Sequence, residues 1–195
     1  MSGVVVGLAD RSSRREALLD AADRIVRRDG PAASMATIAA EAGITKPILY
    51  RHFGDKGGLY AALADRYTSR LMGDLQSALE GGTTRRDRVE RTVDAYLAAI
   101  EQEPQVYRFL VHSGEAAAAQ SEVRSFTRTL SALLATGMGR ELGVPADGPR
   151  AQAWAHGIVG MVQAAGDWWL DTRRCSRAEL VEELTALLLG GYGDA

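Results

Sequence analysis

Residues 43–60 read GITKPILYRHFGDKGGLY, and they hold both lysines, Lys46 and Lys56, of a 195-residue chain that otherwise uses arginine for its strong bases. The stretch sets out a glycine turn, a threonine able to cap, a helix of seven or eight residues, a second turn and a lysine. Glycine supplies the backbone freedom of a tight turn, and Thr at a helix start accepts from N–H groups that have no partner within the helix. Just upstream, residues 35–42 carry helical spacing behind Ser34, another capping residue. Two short helices joined by a turn predict a helix-turn-helix, in which the second helix enters the major groove of DNA and the first braces it.

Within that frame, Ile38, Ala39, Leu49 and Phe53 are spaced to clamp the two helices together. Thr45, Lys46, Pro47, Ile48, Tyr50 and Arg51 then face wholly or partly outward as candidate DNA contacts. Lys46 stands at the helix start and can donate to guanine O6 or N7, so it is the expected base reader. Thr45 can cap the helix and reach a base or a phosphate, whereas Ile48, with no polar group, suits a thymine methyl. Tyr50, His52 and Lys56 suit phosphates, as does Ser34 at a helix N-terminus, where unpaired N–H groups favour an anion.

Outward from this segment, helical periodicity recurs and no alternating strand is convincing, so the expectation is an all-α chain of about nine helices. A first helix should start at a capping box of Ser13 and Glu16, bury Leu18, Ala21, Ala22, Ile25 and Val26, and stop at Gly30-Pro31. A fourth runs from about Lys56 to Glu80, and Thr84 with Asp87 opens a fifth that ends before Pro104. A short sixth covers residues 106–112 and an alanine-rich connection follows. Phe126, Leu130, Leu133, Leu134, Met138 and Leu142 stripe a seventh, Pro149 starts an eighth, and Ser176 with Glu179 opens a last helix bearing Leu180, Leu184, Leu187 and Leu188. Residues 1–11 read as a disordered tail, 12–55 as the helix-turn-helix domain and 56–195 as a larger helical body.

Composition is that of an ordinary globular protein, 46% hydrophobic and 25% charged with net charge −2. The charge is unevenly placed: residues 1–60 carry nine strong bases against seven acids, and the remainder fourteen against eighteen. A slightly basic head can approach phosphates while an acidic body cannot. Cys175 is the one cysteine, which excludes an intrachain disulfide and a cysteine-based zinc site. No apolar run approaches the ~20 residues of a membrane span, and the N-terminus lacks a signal-peptide pattern; a cytoplasmic protein is expected. The three histidines lie far apart, and neither HExxH nor a phosphate loop occurs, which argues against an enzyme and against a metal or cofactor.

The run from Gly30 through SMATIAAEAGITKPILYRHFGDKGGLY resembles the head of the TetR family of bacterial transcriptional regulators. Ile38, Ala39, Ala42, Gly43, Thr45, Tyr50, His52, Phe53 and Lys56 carry the likeness, which covers about residues 14–65. It implies double-stranded DNA as partner, a homodimer formed through the last two helices, and a body that holds a small-molecule pocket; members are usually repressors that a ligand releases from DNA. On that reading Tyr96, Tyr107, Phe109, His112, Phe126, Leu130, Met138, Trp154, Ile158, Met161, Val162 and Trp168 are the pool from which a pocket for a hydrophobic or aromatic effector could be lined. His156, Gln163 and Asp167 are polar groups among them. Each of these residues also suits plain core.

Ala153, Gly157, Gly160 and Ala164 form a band of small residues that would admit a close helix, either of a second copy together with the leucine face of the last helix, or of the same body. Gly57 and Gly58 depart from the family pattern. They read either as a soft joint between head and body or as drift at a tolerant position. Two alternative functions stay open: a repressor that needs no ligand, and a redox response through Cys175, which stands among Arg173, Arg174 and Arg177.

Overall fold

The computed structural model describes residues 3–112 and 117–190, which form nine α-helices and one 3-10 turn, with no strand among them. In chain order the helices are α1 (Gly3–Asp29), α2 (Met35–Glu41), α3 (Lys46–Phe53), α4 (Lys56–Gly81), α5 (Arg85–Gln102), α6 (Pro104–His112), α7 (Ala117–Leu142), α8 (Pro149–Thr172) and α9 (Arg177–Gly190). The all-α class expected from periodicity is the one adopted. None of these helices is long and apolar enough to cross a membrane.

Two compact units divide the chain, one of residues 1–67 and 105–123, the other of 68–104 and 124–195. The expected boundary at 55/56 falls inside the first of these units, whose core extends past it. Leu59, Tyr60, Leu63, Ala64 and Tyr67 of α4, with Val106 and Phe109 of α6, are buried together with Leu18, Ile25 and Val26 of α1, Ile38 of α2 and Leu49 of α3. Fully burying each such side chain stabilises the fold by about 1.5–3 kcal/mol. Tyr60 meets Phe109 edge to face at 4.8 Å and its hydroxyl donates to the Ala33 carbonyl at 2.6 Å. The Tyr67 hydroxyl donates to Asp23 on α1, and Arg66 spans Asp20 and Glu16 at 2.7 Å each. Three short helices alone would leave this core open.

Helix α1 begins at Gly3, ten residues before the expected capping box, so residues 3–11, expected as a tail, fall within its span. Extension of an existing helix adds a hydrogen bond per residue without a new nucleus, and Ser12 and Ser13 inside the run oppose that only weakly. At the other end Gly30 takes φ +54°, and a Cβ there would stand 3.2 Å from the Gln105 carbonyl oxygen of α6. In the same way the alanine-rich stretch expected as a connection becomes the start of α7, since alanine has the highest helix propensity.

In the second unit α5 packs against α9 and α8. Arg177 at the start of α9 reaches Asp94 at 2.7 Å and Glu101 at 2.8 Å on α5, and Arg173 takes the other Glu101 oxygen at 2.8 Å. These carboxylates raise the already high pKa of the Arg177 guanidinium through hydrogen bonding, Asp94 first. Gly166 of α8 lies where a Cβ would meet Ile100 Cδ1 at 2.9 Å. Trp169 is buried and its indole N–H donates to the Cys175 carbonyl at 2.8 Å, which folds the α8–α9 turn over the ring. The capping box foreseen at Ser176 is present, with Glu179 N–H donating to Ser176 Oγ at 3.2 Å and Ser176 N–H to Glu179 Oε2 at 2.7 Å; at Thr84 only half forms, Asp87 N–H donating to Thr84 Oγ1 at 3.1 Å while the Asp87 carboxylate accepts from the Thr83 N–H.

Candidate nucleic-acid interface and cavity

Helix α2 starts at Ser34, whose hydroxyl accepts from the Thr37 N–H at 3.2 Å while its own N–H donates to Thr37 Oγ1 at 3.1 Å. Thr37 thus completes a capping box in which the sequence offers no Glu or Gln, and the half-buried Ser34 hydroxyl is engaged with its own helix. The chain leaves α2 through Gly43 at φ +64°, and the Ile44 N–H donates back to the Ala39 carbonyl at 3.0 Å. A side chain at position 43 would be strained in that conformation. Thr45 then enters α3 in an extended conformation with its side chain making no capping bond, and Pro47 sits in the first turn, where no N–H is needed.

Leu49 and Phe53 are buried on the inner face of α3, which turns Lys46, Pro47, Tyr50 and Arg51 outward into solvent beside the exposed Thr45. Ile48 and His52 are half-buried at the margins. Neither Lys46 nor Arg51 makes an ion pair among the described residues, so their charges face outward uncompensated. Lys56, half-buried in the first turn of α4, holds its ammonium 5.4 Å from the centre of the Tyr60 ring, a cation–π contact that limits where the charge can go. Arg15, on α1, lays its guanidinium 4.9 Å from the centre of the Phe53 ring and adds a base beside the end of α3. Sequence spacing could not have placed it there.

The junction from α3 to α4 is tighter than either reading of its glycines. Gly54 closes α3 at φ +81° with its N–H donating to the Tyr50 carbonyl at 2.7 Å, and Asp55 caps α4 by accepting from the Gly58 N–H at 2.7 Å. A Cβ on Gly58 would lie far inside contact distance of the Phe53 carbonyl oxygen. Position 58 is therefore neither tolerant nor soft: the absence of a side chain is what lets the first turn of α4 abut the end of α3.

The second unit contains a cavity of about 240 Å³. Of the expected ligand pool, Tyr96, Leu130, Met138, Ile158 and Val162 line it, and so does Gln163. The rest of the wall went unforeseen: Leu75 and Leu79 from α4, Arg85, Arg88, Val89, Thr92 and Val93 from α5, Leu134 and Gly137 from α7, Val159 from α8, and Leu188 and Leu189 from α9. Several other residues of the pool lie elsewhere. Phe109 is fully buried in the head core against Tyr60, and Tyr107 shares its short helix in the first unit. Phe126 is buried away from the wall, and the half-buried Met161 also stays outside it. The His112 side chain lies outside the described residues.

Trp154 and Trp168 are each 45% exposed, because the inward face of α8 is set by Ala151, Ala155, Val159, Val162, Gly166 and Trp169, and helical spacing carries positions 154 and 168 elsewhere. Ala153, Gly157, Gly160 and Ala164 are exposed with them, and nothing lies within 4 Å of where a Cβ would stand on Gly157 or Gly160. The small band thus faces away from its own body. The leucine face of α9 does the opposite, since Leu180 and Leu184 are buried and Leu188 lines the cavity.

A helix-turn-helix with an outward basic reading face, followed by a helical unit enclosing a cavity, defines the class of DNA-binding regulators. Residues 18–63 match the family described as bacterial regulatory proteins, tetR family, and residues 74–195 match the tetracyclin repressor-like C-terminal domain. The chain belongs to the TetR family. It is 34% identical over 179 residues to an uncharacterized HTH-type transcriptional regulator of Mycobacterium tuberculosis, covering 89% of this chain and 75% of that one. With the HTH-type transcriptional activator FasR of Mycolicibacterium smegmatis it shares 32% identity over 167 residues, 84% of this chain and 75% of that one. Among solved structures it shares the fold of the transcriptional regulator FadR from Bacillus subtilis in complex with stearoyl-CoA, with TM-score 0.69 at 15% identity over 90% of this chain and 98% of that one.

Proposed function

We propose that the protein is a sequence-specific repressor that binds a pseudo-palindromic operator as a homodimer and responds to an apolar effector held in the second unit. The outward face of α3 carries the reading: Lys46, Pro47, Tyr50 and Arg51 stand exposed on a helix whose orientation is fixed by buried Leu49 and Phe53. Two copies of α3 would enter successive major grooves with half-sites about 34–36 Å apart, or a longer related spacing. The exposed band of α8, flanked by Trp154 and Trp168, supports the pairing surface, to which α9 contributes less than the sequence suggested. The cavity favours a ligand-responsive protein over a constitutive one, and FadR shows that this fold can be crystallised with a ligand. A redox role for Cys175 gains nothing, because Arg173 and Arg177 are paired with α5 carboxylates.

Selection of bound sequences from random duplex DNA by the full chain tests the reading directly. A two-fold symmetric consensus is expected, bound by a particle of twice the chain mass. Lys46→Ala should weaken binding by ~1–3 kcal/mol at particular operator positions, whereas Lys56→Ala should weaken all sequences alike and reduce the salt slope by about 1. A monomer in solution, or the reverse pattern of the two lysines, would refute the assignment. The direction of regulation is read from a reporter gene behind the selected sequence, where activation in place of repression would put the protein with FasR in sign.

A further inference from the structure

Helix α3, of sequence KPILYRHF, divides by helical phase. Leu49 and Phe53 are buried one turn apart. At about 100° per residue, the side farthest from that buried pair is reached two positions away from each. Arg51 stands there, two residues after Leu49 and two before Phe53, with Pro47 one turn ahead of it on the same side. Arg51 is exposed, and its side chain makes no ion pair or hydrogen bond among the described residues. The exposed Tyr50 and the half-buried Ile48 and His52 take the flanks. In a major groove the far side of the helix meets base edges, and its flanks meet the phosphates that border the groove. Pro47 has no polar side-chain group, so the hydrogen-bonding group on that far side is the Arg51 guanidinium. A long helical side chain also lies back over the turn before it, which carries the guanidinium over Pro47 toward the amino end, where a recognition helix meets bases.

The residue types of α3 narrow the base. Bidentate recognition of adenine takes Asn or Gln, and cytosine takes the carboxylate of Asp or Glu; α3 has none of the four. Glu41, at the end of α2, is held by Arg24 at 2.7 Å. Guanidinium offers two parallel N–H groups, which match guanine O6 and N7. We infer that Arg51 reads a guanine in each operator half-site, and so specifies sequence instead of neutralising a phosphate. The inference rests on the reading of α3 as the helix that enters the major groove and adds the base it contacts there.

Fluorescence anisotropy on the duplex that the full chain selects tests this, with each guanine of one half-site replaced in turn by 7-deazaguanine, which lacks N7. For the parent, one such replacement should cost about tenfold in affinity, the order of a base-specific contact. In Arg51→Ala the same replacement should cost nothing, while a guanine contacted by Lys46 keeps its effect. Arg51→Lys retains the charge and should keep the parent's salt slope, yet recover only part of the guanine preference. A general loss of folding would weaken every duplex alike and could not erase the cost at one guanine. Were every replacement to cost Arg51→Ala as much as it costs the parent, Arg51 would be a phosphate contact or none, and the proposal would be overturned. A selected half-site without guanine would overturn it too, while leaving α3 as the reading helix. Failure of the chain to select any symmetric sequence would remove that reading and the proposal with it.

Discussion

The α3–α4 junction and the cavity of the second unit are built on opposite packing principles. At the junction a single missing Cβ decides the geometry: Gly58 lets α4 start against the Phe53 carbonyl, Asp55 holds that start, and Tyr60 ties the next turn to Ala33. In the second unit five helices surround a cavity of about 240 Å³ and pack closely elsewhere, as at the Gly166 approach to Ile100. The first arrangement holds one orientation of α3. The second leaves a lined space between helices. The contrast separates a tightly seated helix junction from a looser group of five helices lined largely by leucine and valine.

Truncating a core residue in each region should expose that difference most strongly. Leu49→Ala empties a fully buried position between α2 and α3, and about 2–5 kcal/mol of unfolding free energy should be lost. Leu134→Ala removes a half-buried side chain that already faces the cavity, so its loss should fall at or below the lower end of that range, about 2 kcal/mol. Urea unfolding of both variants decides the matter, and equal losses would mean the cavity wall is as tightly packed as the head core.

The next effect is smaller and opposite in sign at two glycines of one helix. Gly58→Ala forces a Cβ onto the Phe53 carbonyl and should cost about 1–3 kcal/mol while loosening operator binding. Gly73→Ala, on an exposed stretch of α4 with nothing within 4 Å, should stabilise by about 1 kcal/mol. If Gly58→Ala proved neutral and left operator affinity unchanged, the junction would be adaptable and its rigidity would need another source.

The two regions also differ in how far their sequence could be read. The head was legible because its information is local: a capping serine, Gly43, Pro47 and the inward pair Leu49 and Phe53 lie within twenty residues and fix which side chains of α3 face out. What escaped was the part completed at a distance. The share of the head core supplied by α4 and α6, the Arg15 contact with Phe53, and the steric demand on Gly58 all depend on how helices meet. The cavity was legible only in fragments for the same reason. Aromatic residues drew attention as lining, yet a phase difference along α8 sends Trp154 and Trp168 outward and brings Ile158 and Val162 in, and the plain leucines of α4 and α9 form much of the wall. Periodicity gives the faces of a helix. It does not say which neighbour each face meets.

The smallest expected effect lies in the helix caps. In the head, α2 is capped by two neutral hydroxyl residues, Ser34 and Thr37, whereas in the second unit α9 is capped by Ser176 with the carboxylate of Glu179, which accepts from the Ser176 N–H at 2.7 Å. That backbone hydrogen bond, followed by one from the Ser176 hydroxyl, holds the Glu179 carboxyl below its ordinary value of 4.5. A carboxyl whose folded pKa is depressed contributes stability that is fully present above the unfolded value and is lost as pH falls through the folded one. Asp87 behaves alike at the start of α5, held down chiefly by the Thr83 N–H and then by Arg91. The melting temperature of Glu179→Gln should therefore lie slightly below that of the parent at pH 7, and the gap should close as the pH is taken well below 4.5. The gap between the parent and Ser34→Ala, by contrast, should persist across the same range, because the α2 cap contains no group that titrates there. Were the Glu179→Gln gap to remain in acid, the carboxylate would be acting through shape and not charge, and the caps of the two regions would be equivalent.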